Sequence, residues 1–296
     1  MEIQTMSIVV GGPACNAKCP YCISKMTGLD EVIGQFLPAC PRNLPIALSH
    51  AKIGNVTTIL LTSKGEPTLY PEAITKWLEK IYSWETSHSH MFPYKELQTN
   101  GIAVANEEIN ILTLHQWYNL GLTTISISVA HYGQDFNRSI FTPDGEYFSL
   151  TSLIEKLQNI GFNVRLNCTL LKDGINNIGK VQDFIRFLPA NQITFRPMRV
   201  PSINQVSGIY RWAKENLPEE SFLKELQDYL DDYEKIMKLA HGACIYDVNG
   251  KAVCLSDCLT KAPDEVGRLR QLILYGDGRL TYDWQYKAAQ LLPPEK

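Results

Sequence analysis

The sequence predicts an α/β fold: a partial (β/α)6 TIM-like barrel followed by a small extension that contains hairpins. Two observations predict it. Short apolar runs alternate with amphipathic helical stretches in six units up to about residue 240, the pattern of right-handed βαβ connections around a parallel sheet. In three of those runs polar and apolar residues strictly alternate, so one face of the sheet is polar. Six units fall short of the eight that close a barrel. Residues 1–240 are therefore read as the partial barrel and residues 241–296 as the extension.

The first apolar run, Ile8-Val9-Val10, leads through Gly11-Gly12-Pro13 to a loop carrying Cys15, Cys19 and Cys22. Residues 23–55 are interrupted by Pro38, Pro41 and Pro45, and only Ile46 to Ile53 has a helical pattern. Cys40 in that connection is read as a free thiol. Thr57 to Thr62 is a strand buried on both faces. It runs into Ser63-Lys64-Gly65-Glu66-Pro67-Thr68-Leu69, and a helix starts near Pro71, a favoured first helical residue. Ile74, Trp77, Leu78 and Ile81 form its apolar face. A short strand ends in Leu97-Gln98-Thr99-Asn100-Gly101, and a helix is expected over 106–120 with Gly121 ending it.

Thr124 to Val129 is the fourth strand. Leu150 to Ile160 is a helix with Leu153, Ile154, Leu157 and Ile160 on one face. Asn163 to Leu170 is a strand, Gly179 to Leu188 a helix, Gln192 to Arg196 a strand, and Glu219 to Leu239 the last helix. Ser126 and Ser128 alternate with Ile125, Ile127 and Val129; Arg165, Asn167 and Thr169 with Val164, Leu166, Cys168 and Leu170; Gln192, Thr194 and Arg196 with Ile193 and Phe195. The apolar set packs on the helices and the polar set faces the lumen. A filled barrel core is Val, Ile and Leu; this lumen is suited to a polar ligand, unless the arginines pair with acidic loops at strand ends.

The 296 residues, 45% hydrophobic with a net charge of −3, support a sizeable core. They lack the basic runs of a polymeric nucleic-acid binder. No stretch approaches the ~20 apolar residues of a membrane span, and Met1-Glu2-Ile3-Gln4 does not read as a signal peptide. Eight cysteines in such a chain point to metal or redox chemistry and a cytoplasmic setting rather than a disulfide framework.

Cysteine thiolates hold iron–sulfur clusters, usually four per cluster, so three thiols within eight residues suit a cluster with one iron left open. Tetrahedral zinc also takes cysteine ligands. Cys15-x3-Cys19-x2-Cys22, with Tyr21 before the last cysteine, resembles the signature of the radical S-adenosylmethionine (SAM) enzymes. The resemblance implies an oxygen-sensitive 4Fe–4S cluster on Cys15, Cys19 and Cys22 and reductive cleavage of SAM to a 5′-deoxyadenosyl radical. A flavodoxin or ferredoxin-type electron donor goes with that chemistry. In that family a Gly-Gly-Glu-Pro stretch after the second strand receives the methionine amino group. Gly65-Glu66-Pro67 matches it, with Lys64 in place of the first Gly. By the same likeness Thr99-Asn100-Gly101, Ser128, Asn167 and Met198 lie near SAM.

Val164-Arg165-Leu166-Asn167-Cys168 with Gly174-Ile175-Asn176 is similar to the branch that rearranges GTP in molybdenum-cofactor synthesis, which implies that Arg165 touches substrate. Arg196 offers a second cation to a small anionic substrate, nucleotide- or sugar-like. Peptide modification, as in peptide-maturing enzymes or glycyl-radical activases, is the alternative. That branch's arginines after the auxiliary cysteine pair and its terminal Gly-Gly are missing here, so GTP cyclisation is not expected.

In the extension, Tyr246 to Val253 is a hairpin with an Asn249-Gly250 turn. A second hairpin spans Leu272 to Tyr282 around Gly276-Asp277-Gly278. Cys244, Cys254 and Cys258 flank the first, with His241 before them, and resemble the twitch or SPASM parts appended to radical SAM proteins. That likeness implies an auxiliary Fe–S cluster; a zinc site or unliganded thiols are the alternatives. His131 follows the fourth strand and can approach the site, whereas His50, His88, His90 and His115 show no ligand spacing.

Overall fold

The computed structural model describes residues 2–26, 41–142, 144–200, 208–239, 242–256, 268–284 and 286–295. In chain order the elements are β1 (Glu2–Val9), α1 (Ile23–Met26), α2 (Leu44–Ile53), β2 (Thr58–Thr62), α3 (Pro71–Ser87), β3 (Tyr94–Thr99), α4 (Ile102–Ala105), α5 (Ile111–Asn119), β4 (Thr124–Val129), α6 (Gln134–Phe141) and α7 (Leu150–Ile160). There follow β5 (Asn163–Leu170), α8 (Ile178–Phe187), β6 (Gln192–Pro197), α9 (Gly208–Glu215), α10 (Glu220–Asp231), β7 (Glu234–Lys238), β8 (Cys244–Val248), β9 (Lys251–Leu255), β10 (Arg268–Leu274), β11 (Leu280–Thr281) and β12 (Gln290–Leu292).

All the described strands join one sheet, ordered β12-β11-β10-β1-β2-β3-β4-β5-β6-β9-β8-β7. The run from β10 through β1–β6 to β9 is parallel, and both ends finish in antiparallel strands. This is the expected partial barrel, widened at both edges by the C-terminal segment. The first hairpin forms as read: Asn249 (φ 54°) and Gly250 (φ 81°) both take positive φ, the requirement of a type I′ turn. Its second strand, β9, lies beside β6, whereas β10 returns across the molecule to pair with β1.

The alternation in the strands has the expected result. Ile125, Ile127, Val129, Val164, Leu166, Cys168, Ile193 and Phe195 are buried against the helices. Ser128, Arg165, Thr169, Gln192, Thr194 and Arg196 are half-buried on the lumen face. Ser126 and Asn167 share that face and are buried, because the Asn167 amide donates to the Ser126 hydroxyl. At the other side of the lumen, Val9, Ile273, Tyr275 and Trp284 form a small apolar group separate from the main core.

Several helices differ from the sequence reading. The helix expected over 106–120 is only α5, and a separate short helix, α4, precedes it: Glu107 adopts φ 61°, and the Asn110 side chain caps α5 by accepting from Thr113 N at 2.8 Å. A capping Asn and a left-handed residue end one helix and start the next. The stretch 219–239 is helical only to Asp231, and Glu234–Lys238 is strand β7. Pairing with β8 overrides a helical pattern that Asp231 and Lys235 support locally. Helices α6 and α9 are additional to the sequence reading.

The connection into β3 holds a buried ion pair. Lys95 Nζ lies 2.8 Å from Glu85 Oε1, with side-chain exposures of 2% and 3%. The same oxygen accepts from Phe92 N at 2.8 Å. Removing one partner leaves a buried, unpaired charge. Glu85→Ala is expected to destabilise the protein by about 3–5 kcal/mol in denaturant unfolding, and Glu85→Leu with Lys95→Met to recover most of that.

Candidate functional site

The barrel presents three loops at the carboxyl ends of β1, β2 and β3, where barrel enzymes assemble their sites. Hydrogen bonds tie them into one unit. Val10 N donates to Thr62 O at 2.7 Å and Glu66 N to Ala14 O at 2.9 Å. Ser63 Oγ donates to Gly12 O and accepts from Gly65 N, both at 3.1 Å. Gly65 presses against the cysteine loop so closely that a Cβ there would meet Ala14 O at 2.1 Å. Glycine at 65 is thus a packing requirement of this junction.

Glu66 is the hub. It is buried, and its side chain caps the short 3-10 turn Pro67–Leu69, with Pro67 buried at the start. Oε1 accepts from Thr68 N (3.1 Å), Thr68 Oγ1 (2.6 Å) and Thr99 Oγ1 (2.6 Å), and Oε2 from Asn100 N (2.8 Å). Burial pushes the carboxyl up, and these hydrogen bonds pull it back down. A carboxylate oxygen has two lone pairs, so Oε2 keeps one acceptor direction open. Asn100 completes the suture: its amide donates to Asn16 Oδ1 at 2.7 Å and contacts Cys15 Sγ at 3.8 Å. Its Oδ1 accepts from Ile102 N at 3.0 Å. The sequence reading set Thr99-Asn100-Gly101 near the site; within that stretch it is Asn100 whose side chain and N–H link Glu66 to the cysteine loop.

Cys15 is exposed, and Cys19 and Cys22 are half-buried. Cys22 N donates to Cys19 O at 3.3 Å, and Cys22 O caps the start of α1. The Cys19 thiol is pushed up to about 12, first by burial and then by Cys22 and Cys15; burial likewise raises Cys15. Thiols that oppose one another's ionisation are stabilised as thiolates by a cationic centre. Among the described residues, no group of three or more His, Cys, Asp and Glu stands gathered to hold a metal ion, and Cys15, Cys19 and Cys22 are no exception. An open three-thiol loop fits a cluster with an exposed face better than it fits a closed tetrahedral zinc site.

Tyr21 carries its hydroxyl inward toward Thr169 on β5, and its ring lies 6.1 Å from that of Trp212 of α9, tilted by 30°. Met198 is buried just past β6 and donates its N–H to Leu170 O at 3.2 Å. Asn16 Nδ2, Asn167 Oδ1 and Arg196 Nε are buried without a hydrogen-bond partner. Unsatisfied buried polar atoms are uncommon, and these belong to the cysteine loop and the lumen face, where a polar ligand would satisfy them.

The two lumen arginines differ. Arg165 is ion-paired with buried Glu96 and donates Nε to Gln192 Oε1 at 2.8 Å. Arg196 is level with Thr169, four residues further along β5 than Arg165, or about 13 Å nearer the mouth. Of the two, Arg196 is the one nearer the opening. His131 accepts from Gly133 N at 2.8 Å through Nδ1 and stacks on Tyr132.

Of the expected auxiliary ligand set, Cys244 and Cys254 are among the described residues. Cys258, His241 and also Cys40 lie outside the described residues. Cys254 opposes Ile245 across the hairpin and Thr194 across β6, which puts it on the lumen face. Cys244 is one residue from Ile245 and so points to the opposite face, where Tyr246 hydrogen-bonds Asp231 of α10. Cys244 and Cys254 do not fit one metal centre on this hairpin.

No family model and no curated protein matches the chain by sequence. Solved structures share its fold. Streptococcus suis SuiB bound to precursor peptide SuiA aligns with a TM-score of 0.60 at 14% identity, over 95% of this chain and 59% of SuiB. The chain thus spans about three-fifths of SuiB. The structure of anSMEcpe with bound AdoMet and Cp18Cys peptide aligns with a TM-score of 0.60 at 14% identity, over 97% and 75% of the two chains. A radical SAM methyltransferase from Sphaerobacter thermophilus aligns with a TM-score of 0.54 at 13% identity, over 86% and 67%.

The thiol chemistry is directly measurable. In metal-free protein, the rate of Cys19 alkylation is expected to climb about tenfold per pH unit through pH ~10, because thiolate is the nucleophile. A rate that levels off near the ordinary thiol value of 9.0 would contradict the burial and mutual repulsion assigned to Cys19.

Proposed function

We propose that this chain is a radical SAM enzyme in which Cys15, Cys19 and Cys22 hold a 4Fe–4S cluster. One observation carries the reading: a three-thiol loop after β1 is bonded, through Glu66 and Asn100, to the loops after β2 and β3. The fold shared with anSMEcpe with bound AdoMet and with the methyltransferase supports it. Bound in this loop, the cluster supplies the electron that splits SAM into methionine and a 5′-deoxyadenosyl radical. A flavodoxin or ferredoxin-type protein is the proposed donor of that electron.

The chain's own residues bind and orient. Glu66, held by Thr68, Thr99 and Asn100, offers the open acceptor of Oε2 to the methionine amino group. Gly65 keeps the approach to the cysteine loop free of a side chain, and Pro67 fixes the turn that aims Glu66. Asn167, with its unpartnered Oδ1, is a hydrogen-bond acceptor for the SAM ribose, with Ser128 beside it on β4. Met198 and Tyr21 supply apolar surface.

Arg196 engages an anionic group of the substrate, with Arg165 holding the lumen's shape through Glu96. The polar lumen admits a small anionic molecule or a peptide side chain. The peptide class is favoured by SuiB bound to precursor peptide SuiA and by anSMEcpe with its Cp18Cys peptide. The molybdenum-cofactor likeness rests on the β5 residues and Gly174-Ile175-Asn176 alone. The proposal includes no auxiliary cluster.

Anaerobically reconstituted protein with SAM and dithionite is expected to yield 5′-deoxyadenosine and methionine, and Cys19→Ala to yield neither. Glu66→Ala should weaken SAM binding by about tenfold or more, the scale of a charge-assisted hydrogen bond. Absence of 5′-deoxyadenosine from fully loaded wild-type protein would overturn the reading.

A further inference from the structure

Lys64 stands where the resembling family has a glycine, directly before Gly65 and Glu66. Its side chain is half-buried, and its ammonium lies over the ring of Trp284, 5.2 Å from the centroid. Among the described residues it has no carboxylate partner. The backbone that carries it is fixed, because the adjoining Gly65 packs on Pro13 and Ala14 of the cysteine loop. Trp284 is also anchored: it packs edge-on to Tyr275 at 6.0 Å and belongs to the apolar group with Val9, the last residue of β1. The C-terminal segment thus reaches back across β10 and β1 to take hold of one lysine at the thiol loop.

A free cation at this position would compete with a ligand's amino group for Glu66. Cation–π attraction to Trp284 draws the ammonium away from that carboxylate, while the adjoining Gly65 keeps Lys64 against the cysteine loop; burial lowers the Lys64 pKa and Cys22 acts on it in the opposite sense. Net charge and burial around the sulfurs set the potential of an iron–sulfur centre. We infer that Lys64, clamped by Trp284, is a positioning residue that supplies a partly desolvated positive charge to the Cys15–Cys22 loop and raises the potential at which its cluster accepts an electron. This inference rests on the proposed cluster.

The test is an EPR-monitored dithionite titration of reconstituted wild type, Lys64→Met, Lys64→Gln, Lys64→Arg and Trp284→Leu, each with iron content and thermal unfolding measured. At the wild-type midpoint, Lys64→Met and Lys64→Gln are expected to show a reduced-to-oxidised ratio about tenfold lower, which for one electron is ~59 mV. Lys64→Arg should keep the wild-type value, and Trp284→Leu should fall between. Equal midpoints for wild type and both neutral variants at equal iron content would overturn the role of Lys64. Failure of wild type itself to take up a cluster would overturn the proposed function, and the inference with it.

Discussion

The buried carboxylate of Glu66 is the constraint on which the rest of this molecule's site depends. Four donors from two loops converge on it, and hydrogen bonds to a charged group contribute about 1.5–3 kcal/mol each. Its own N–H reaches the cysteine loop, and Asn100 closes the ring by reaching Asn16 and Cys15. Glu66 therefore ties together three loops from three parallel strands, two through its side chain and the third through its backbone N–H. A carboxylate held this firmly at low exposure is preorganised to receive a cationic ligand.

The widened sheet gives the lumen two unlike walls. The β4–β6 wall is polar, with Ser126, Asn167, Thr169 and Arg196, and β9 extends it with Cys254. The opposite wall, on β1 and β10, is apolar, with Val9, Ile273 and Tyr275 backed by Trp284. Both additions come from the C-terminal segment, whose two hairpins dock at opposite ends of the parallel run. In a six-strand barrel those ends are unpaired edges; here the chain covers them with its own later strands. The same docking brings Trp284 to Lys64.

Much of this was legible before any coordinates. The polar–apolar alternation in residues 124–129, 163–170 and 192–196 told which face each side chain takes, because period two is a property of the strand itself. The cysteine loop and Gly65-Glu66-Pro67 were legible as motifs, and Asn249-Gly250 as a turn. Less legible was everything set by distant pairing. Nothing local says that β10 returns to β1, or that β8 draws residues 234–238 out of a helix. Cys244 and Cys254 looked like partners by spacing, yet the hairpin register turns them to opposite faces. Asn100 stands in the Thr99-Asn100-Gly101 stretch, but its link between Glu66 and Asn16 arises only when three loops meet, and the role of Lys64 only when Trp284 lies over it. Arg165 and Arg196 read alike in the sequence and separate only through Glu96, which neutralises one of them.

The central claim is that the three thiolates leave one iron open beside Glu66. It is tested most directly by electron–nuclear double resonance of the reduced, reconstituted protein with SAM labelled with 15N at its amino group. The account predicts a 15N coupling to the cluster spin in wild type that is lost or weakened in Glu66→Ala at equal iron content. A cluster signal that shows no 15N coupling in wild type at saturating SAM would contradict it.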